Sequence, residues 1–297
     1  AIIKKPFDTV IPIENIKYFP NDKNPKFILL DKKIKKNNFI RFSGSDFKKG
    51  DNVIKKGDFI NPQHILAFKS LGIKKILVKR KPKIIFYSTG NEISNTNKVP
   101  DWKVRNSNSF YLKSLLENLP FEFIEKNILR DHDQKKFKRE INRNLRSKTD
   151  LIITSGAVSA GKFDFVPNVI KNFEFNDAFK NSYIRPGKPI MFTKFKNNKA
   201  FFGLPGNPIS SAACFRFFVL PFVFASLNLN SDKNFYAILK KKFVKKKSFT
   251  RFIKGKISFS NSGLITFEVL KGQESYRINP FTKTNAWGLF PNTKSIF

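Results

Sequence analysis

The spacing of apolar positions changes twice along the chain. Over residues 1–82, short apolar runs such as TVIPI (9–13) and KFILL (26–30) alternate with Asn, Asp and Pro turns such as PNDKNP. That pattern predicts β-strands joined by loops. One helix is expected to interrupt them, opening at Asn61 with Pro62 in its first turn and running through PQHILAFKS to Gly72. Pro at the entrance and Gly at the exit is the usual helix asymmetry.

From Lys83 the pattern becomes strand, loop, helix, repeated. KIIFYSTG, FEFIEKNIL and DLIITSG read as buried strands, and NSNSFYLKSLLENLP and DQKKFKREINRNL carry helical spacing. Such alternation predicts an α/β fold with a parallel sheet, whose ligands bind at the carboxyl ends of the strands. STGNE (88–92), RDHD (130–133) and TSGAVSAG (154–161) all fall there. RPGKPIMF and KAFFGL add two strands, followed by a helix that Asn207 and Pro208 are expected to start. A helix amino terminus beside glycines offers an anion site.

After about residue 230, FYAILKKKFV, FIKGKISFS and LITFEVLKG alternate as strands with Gly and Ser turns. The expected organisation is a β-rich region over 1–82, an α/β domain over 83–228 and a small β domain over 229–297. The lysine-rich segment at 240–247 reads as a solvated edge strand.

Composition narrows the chemistry. One cysteine, Cys214, and two histidines, His64 and His132, exclude a disulfide framework and a Cys/His zinc site within one chain. That cysteine usage points to a reducing, cytoplasmic setting. The net charge of +35 raises nucleic acid as a partner. Its lysines, however, are scattered among the Asn, Ile and Phe that AT-rich codons favour, so nucleic-acid binding is not the expected function. Ala1 to Pro12 contains no leader-like apolar run, and the apolar stretch from Ala212 carries Arg216 and Pro221. It reads as a buried helix rather than a membrane span.

ITSGAVSAGKFDF (153–165) has the GxxxxGK spacing of a phosphate loop at Gly156, Gly161 and Lys162, yet Phe163 stands where a Mg²⁺-holding hydroxyl belongs. Ser159 does not have the spacing of a GxSxG nucleophile. The acidic residues Glu92, Asp131 and Asp164 share one end of the expected sheet with glycine-rich loops. Carboxylates among anion-binding loops suit a Mg²⁺-phosphate or oxyanion site, because a hard cation takes oxygen ligands and bridges to phosphate.

The ordered motifs STGNEI, NSNSFYL, RDHD, TSGAVSAGKFDF, RPGKP and GLPGNPIS, preceded by AIIKKPFDTVIPIE and RFSGSDFKKGD and followed by GQESYRIN, resemble the molybdopterin molybdenumtransferase family of the MoeA and gephyrin E-domain type. The resemblance implies a central MoaB/MogA-like α/β domain, a β-rich remnant before it and a small C-terminal β-barrel. It also implies hydrolysis of adenylylated molybdopterin with insertion of molybdate, the substrate oxyanion, and release of AMP in the presence of Mg²⁺.

Carried over by position, Asp164, Asp131 and Glu92 are the expected metal-directed and catalytic carboxylates, with Asp46 a further catalytic acid from the GSD motif. Thr154, Ser155, Gly156, Ser159, Gly161, Arg185, Lys188, Pro205, Gly206, Asn207 and Ser275 are the expected substrate-binding residues. The family pattern further implies a homodimer and no membrane, and an upstream segment common in the family is expected to be missing here. Departures fall at Asn91, Asn106, Asn181, His132 and Ala157, the last replacing the second glycine of TSGG. The alternatives are a molybdopterin adenylyltransferase, a non-catalytic scaffold, and a nucleic-acid-binding protein.

Overall fold

The computed structural model describes residues 2–117, 119–158, 164–229, 233–246 and 248–297. The chain forms two compact units, 1–74 and 75–297.

In the first unit β1 (Ile16–Phe19) pairs antiparallel with β2 (Phe27–Leu30), with Ile16 opposite Leu30. The Asn21 side chain ties the turn between them by accepting from the Lys23 and Asn24 N–H groups. TVIPI forms no strand; its end runs into a 3₁₀ turn at Ile13–Asn15. Pro12 explains this, since it has no N–H to offer a ladder. Helix α1 (Pro62–Ser70) starts as expected. The Asn61 side chain accepts from the His64 N–H, and His64 Nδ1 accepts from the Asn61 N–H. Gly72 follows the helix at φ +74°, a left-handed conformation that glycine adopts without strain.

The second unit is built on a six-stranded sheet. Its elements begin with β3 (Lys83–Ser88), the short pair β4 (Ile93–Ser94) and β5 (Val104–Arg105), α2 (Ser107–Leu116), β6 (Glu122–Glu125), α3 (Gln134–Leu145) and β7 (Leu151–Ser155). They continue with α4 (Val166–Ile170), β8 (Phe175–Lys180), β9 (Ile184–Arg185), β10 (Met191–Phe195) and β11 (Ala200–Leu204). The strand order is β6-β3-β7-β11-β10-β8. The first four run parallel, as expected, but β10 runs antiparallel to both of its neighbours, β11 and β8. The sheet is therefore mixed rather than wholly parallel.

Both faces of the sheet are covered. Ile84, Phe86, Leu151, Ile153 and Phe202 join Leu112 and Leu116 of α2 in one core cluster. Ile85, Tyr87, Ile152 and Phe201 join Phe137 and Ile141 of α3 in the other. Alternate residues of each strand thus feed opposite layers, which is why these strands carry continuous apolar runs rather than an alternating pattern.

Helices α5 (Pro208–Cys214) and α6 (Leu220–Ser226) are joined by a π-helical turn at Phe215–Val219. The combined segment is long and apolar enough to cross a membrane by length and composition. Here Ala213, Phe215, Val219 and Val223 pack into the first core cluster, in keeping with a buried helix.

The C-terminal strands are β12 (Ile238–Leu239), β13 (Thr250–Phe259) and β14 (Ile265–Val269), then α7 (Asn279–Thr282) and β15 (Ala286–Phe290). They form a sheet of order β12-β14-β13-β15, and β9 joins it by pairing parallel with β13. These ladders do not by themselves close a barrel. Among its described residues the lysine-rich segment is not the solvated edge strand expected: Val244 makes an isolated bridge to Ile296, and Lys245 is buried with its ammonium donating to the Lys246 and Phe249 carbonyls.

Candidate functional site

The parallel register brings Ser88, Ser155 and Leu204 side by side at the carboxyl ends of β3, β7 and β11. The loops leaving these ends are knitted to one another. Thr89 donates both its N–H and its hydroxyl to the Ser155 carbonyl, and the Gly156 N–H donates to the Leu204 carbonyl. Gly156 sits at φ +100°, where a Cβ would lie 2.6 Å from the Thr89 carbonyl oxygen. Only glycine allows both the conformation and the approach.

Asn108 locks the next pair of loops. Its amide donates to Ser155 Oγ at 2.7 Å and to the Gly206 carbonyl at 2.9 Å, while Ser155 Oγ donates to the Pro205 carbonyl. The 90–93 loop is held separately by Arg130, whose guanidinium donates to the carbonyls of Gly90, Asn91 and Ile93.

These loops surround a cavity of about 1420 Å³. Its walls include Glu92 and Asp164, Ser155 and Gly156, the turn Pro205 to Asn207, Arg185 and Lys188, and Ser275. Ten of the expected residues therefore meet in one place. Asp131 lies outside the cavity; its N–H is held by Asn91 Oδ1 at 3.3 Å. Thr154 is fully buried within β7, away from the cavity. Asp46 is an exposed residue of the first unit. Ser159 and Gly161, with the rest of the GxxxxGK spacing at Lys162 and Phe163, lie outside the described residues.

The three expected metal-directed carboxylates are not brought together. Among the described residues no group of three or more Asp, Glu, His or Cys could hold a metal ion. The expected cap by Asn207 also differs, for its side chain makes no capping hydrogen bond. Of the first N–H groups of α5, that of Ile209 is taken by the Ser275 carbonyl and that of Ser211 by the Asn207 carbonyl, so this helix end is largely satisfied by the protein itself.

Two of the substituted amides, Asn91 and Asn106, have partners for their side chains. Asn106 accepts from Ser88 Oγ and donates to Asn95 Oδ1 and Glu125 Oε1. An ionised aspartate has no donor for the Glu125 contact, so asparagine here supplies the hydrogen bond that aspartate could not. Ala157 adopts φ +51°, a region that costs an L-residue about 1 kcal/mol. Ala157→Gly is therefore expected to raise unfolding stability by up to about 1 kcal/mol, less glycine's added unfolded-state freedom; urea denaturation reads it.

Like Arg105, Arg251 is a cavity cation that sequence reading missed. The β9–β13 ladder sets it opposite Arg185, and both side chains line the cavity. Its Nε is buried without a hydrogen-bond partner. Burial first, and then the charge of Arg185, hold its guanidinium below the usual arginine range. Arg185 lies 4.5 Å from the Phe249 ring and Lys188 Nζ 6.0 Å from it, so one aromatic ring supports two cations. With Arg105, four cations line this cavity, which suits an oxyanion carrying more than one charge.

Residues 85–225 match the family model described as probable molybdopterin binding domain, and residues 1–72 match MoeA N-terminal region (domain I and II). A molybdopterin molybdenumtransferase of Staphylococcus aureus strain Mu50 is 33% identical over 236 residues, 78% of this chain and 55% of the relative. One of Haemophilus influenzae is 33% identical over 257 residues, 85% of this chain and 63% of the relative. The chain thus spans little more than half the length of these relatives. The crystal structure of a molybdopterin biosynthesis MoeA protein from Pyrococcus horikoshii aligns over 98% of this chain and 68% of its own, with TM-score 0.71 and 25% identity. Ordered motifs, two adjoining family models and a shared fold agree, and the chain belongs to the MoeA-type molybdopterin molybdenumtransferase family.

Proposed function

We propose that this chain binds adenylylated molybdopterin in the cavity at the strand ends and inserts molybdate with release of AMP. The observation that supports it most is the meeting of Arg185, Lys188 and Arg251 with Glu92 and Asp164 around one cavity. The cations can hold the oxyanions, and the carboxylates can hold a divalent cation. In this reading residues 1–82, 83–228 and 229–297 act as three parts of one cytoplasmic enzyme that works as a homodimer.

Mg²⁺ fits the donor set in a reduced form. It is commonly bound by one or two carboxylates together with substrate phosphates, and Glu92 and Asp164 supply the two carboxylates. When bound it would supply Lewis-acid polarisation of a phosphoryl oxygen. Arg185, Lys188 and Arg251 would orient molybdate and the phosphoanhydride by charge-assisted hydrogen bonds. The turn Pro205 to Asn207, fastened by Asn108, would keep the pterin nucleotide against the strand ends.

The test follows AMP from adenylylated molybdopterin with Mg²⁺, with and without molybdate. Molybdate-dependent AMP release is the expected result, and its absence removes the reading. Formation of adenylylated molybdopterin from ATP would assign the adenylyltransferase activity instead. Arg251→Ala is expected to raise the KM for molybdate about tenfold, as loss of one charged hydrogen bond does. An unchanged KM would remove Arg251 from the site.

A further inference from the structure

A fully buried lysine outside the cavity bears on the cavity's shape. Lys254 of β13 is 1% exposed. Its ammonium donates to the carbonyls of Glu274 and Arg277 at 3.1 and 3.0 Å. The same residue is gripped by Gln273, whose Oε1 accepts from the Lys254 N–H and whose Nε2 donates to the Lys254 and Leu270 carbonyls. A buried ammonium is costly unless its donors are used, and a hydrophobic residue of similar volume commonly packs as well or better. A packing role alone therefore does not account for the charge.

The segment that Lys254 holds does reach the cavity. Gln273, Glu274, Ser275 and Tyr276 all line it. Ser275 also accepts from the Ile209 N–H at the start of α5, so the loop is fastened at one side by Lys254 and at the other by the helix. We propose that Lys254 is a positioning residue, whose ammonium fixes the 273–278 loop as a wall of the substrate cavity and so sets substrate affinity without touching substrate. The affinity part rests on the function proposed above; the loop-ordering part does not.

The experiment compares Lys254→Met and Lys254→Arg with the unaltered chain, by hydrogen exchange and by steady-state AMP release. In Lys254→Met the amides of 273–278 and of Ile209 should exchange about tenfold faster, the loss expected for a charged hydrogen bond, while those of β3 and β7 keep their protection. KM for adenylylated molybdopterin should rise by a similar factor with kcat nearly unchanged. Lys254→Arg should restore most of the protection and the KM, because its guanidinium can still donate to both carbonyls.

Unchanged exchange in Lys254→Met would overturn the proposal, and so would faster exchange with unchanged KM. If Lys254→Met does not fold, Gln273→Ala removes the other half of the grip without stranding a charge. It should loosen the same amides, and full protection there would also overturn the proposal. Should the unaltered chain release no AMP, the proposed function falls, while the exchange comparison still decides whether Lys254 orders the loop.

Discussion

Replacing Gly156 by valine is expected to destabilise the chain by about 3 kcal/mol or more, a large share of a stability of roughly 5–15 kcal/mol. Two independent causes combine. The backbone stands at φ +100°, which a β-branched residue adopts only under strain. A Cβ would also meet the Thr89 carbonyl oxygen at 2.6 Å and the Thr89 hydroxyl at 2.7 Å. Neither atom can retreat easily, because the Thr89 N–H and hydroxyl are both bonded to the Ser155 carbonyl. At Gly206 the nearest atom to an added Cβ is Gly156 Cα at 3.8 Å, so Gly206→Ala should be nearly neutral for stability. Urea unfolding of the two variants reads the contrast. A Gly156→Val chain as stable as Gly206→Ala would mean the strand ends are not packed as described.

For catalysis the largest loss is expected at Asp164. Asp164→Asn keeps the volume of the side chain and one of its two acceptor oxygens but removes its charge, so the fold should be retained. AMP release at saturating Mg²⁺ should fall about a hundredfold, the upper range for damage to a metal site. Binding of the pterin nucleotide, held by Arg185, Lys188 and Arg251 in the proposed reading, should change much less. Titration of both proteins with Mg²⁺ separates the effects. If Asp164→Asn releases AMP at the normal rate, Asp164 has no part in the reaction and Glu92 alone remains as a cavity carboxylate from the expected set.

The strand ends were legible in the sequence because buried strands and glycine turns leave strong local marks. KIIFYS, LIITS and AFFGL each hold an unbroken apolar run, and their loops carry the motifs that meet at the cavity. Strand β8 left no such mark. FNDAFK is exposed throughout, as an edge strand can be, so neither alternation nor an apolar run announces it. The antiparallel turn from β10 to β11 did have a signal that reading overlooked. Only residues 196–199 separate the two strands, with Asn198 at φ +62°, and a parallel crossover cannot be made so short.

Arg251 was illegible for a different reason. It lies far in sequence from Arg185, within SFTRFIKG, where it looks like one more cation in a lysine-rich stretch. Its place beside Arg185 is created by a two-residue ladder between β9 and β13. Asp131 misled in the opposite sense, since its position after β6 suggested the cavity while Asn91 and Arg130 keep that turn to one side.

That short ladder also bears on how the chain could be recombined with its relatives. Ile184 and Arg185 are covalently part of the stretch between β8 and β10, yet their strand partners, Thr250 and Arg251, belong to the C-terminal sheet. A chimera joined near residue 229 would inherit one side of the ladder from each parent. Sequence differences at 184–188 and 249–251 would then have to match across the join, so these two segments form a single unit of exchange although some sixty residues separate them.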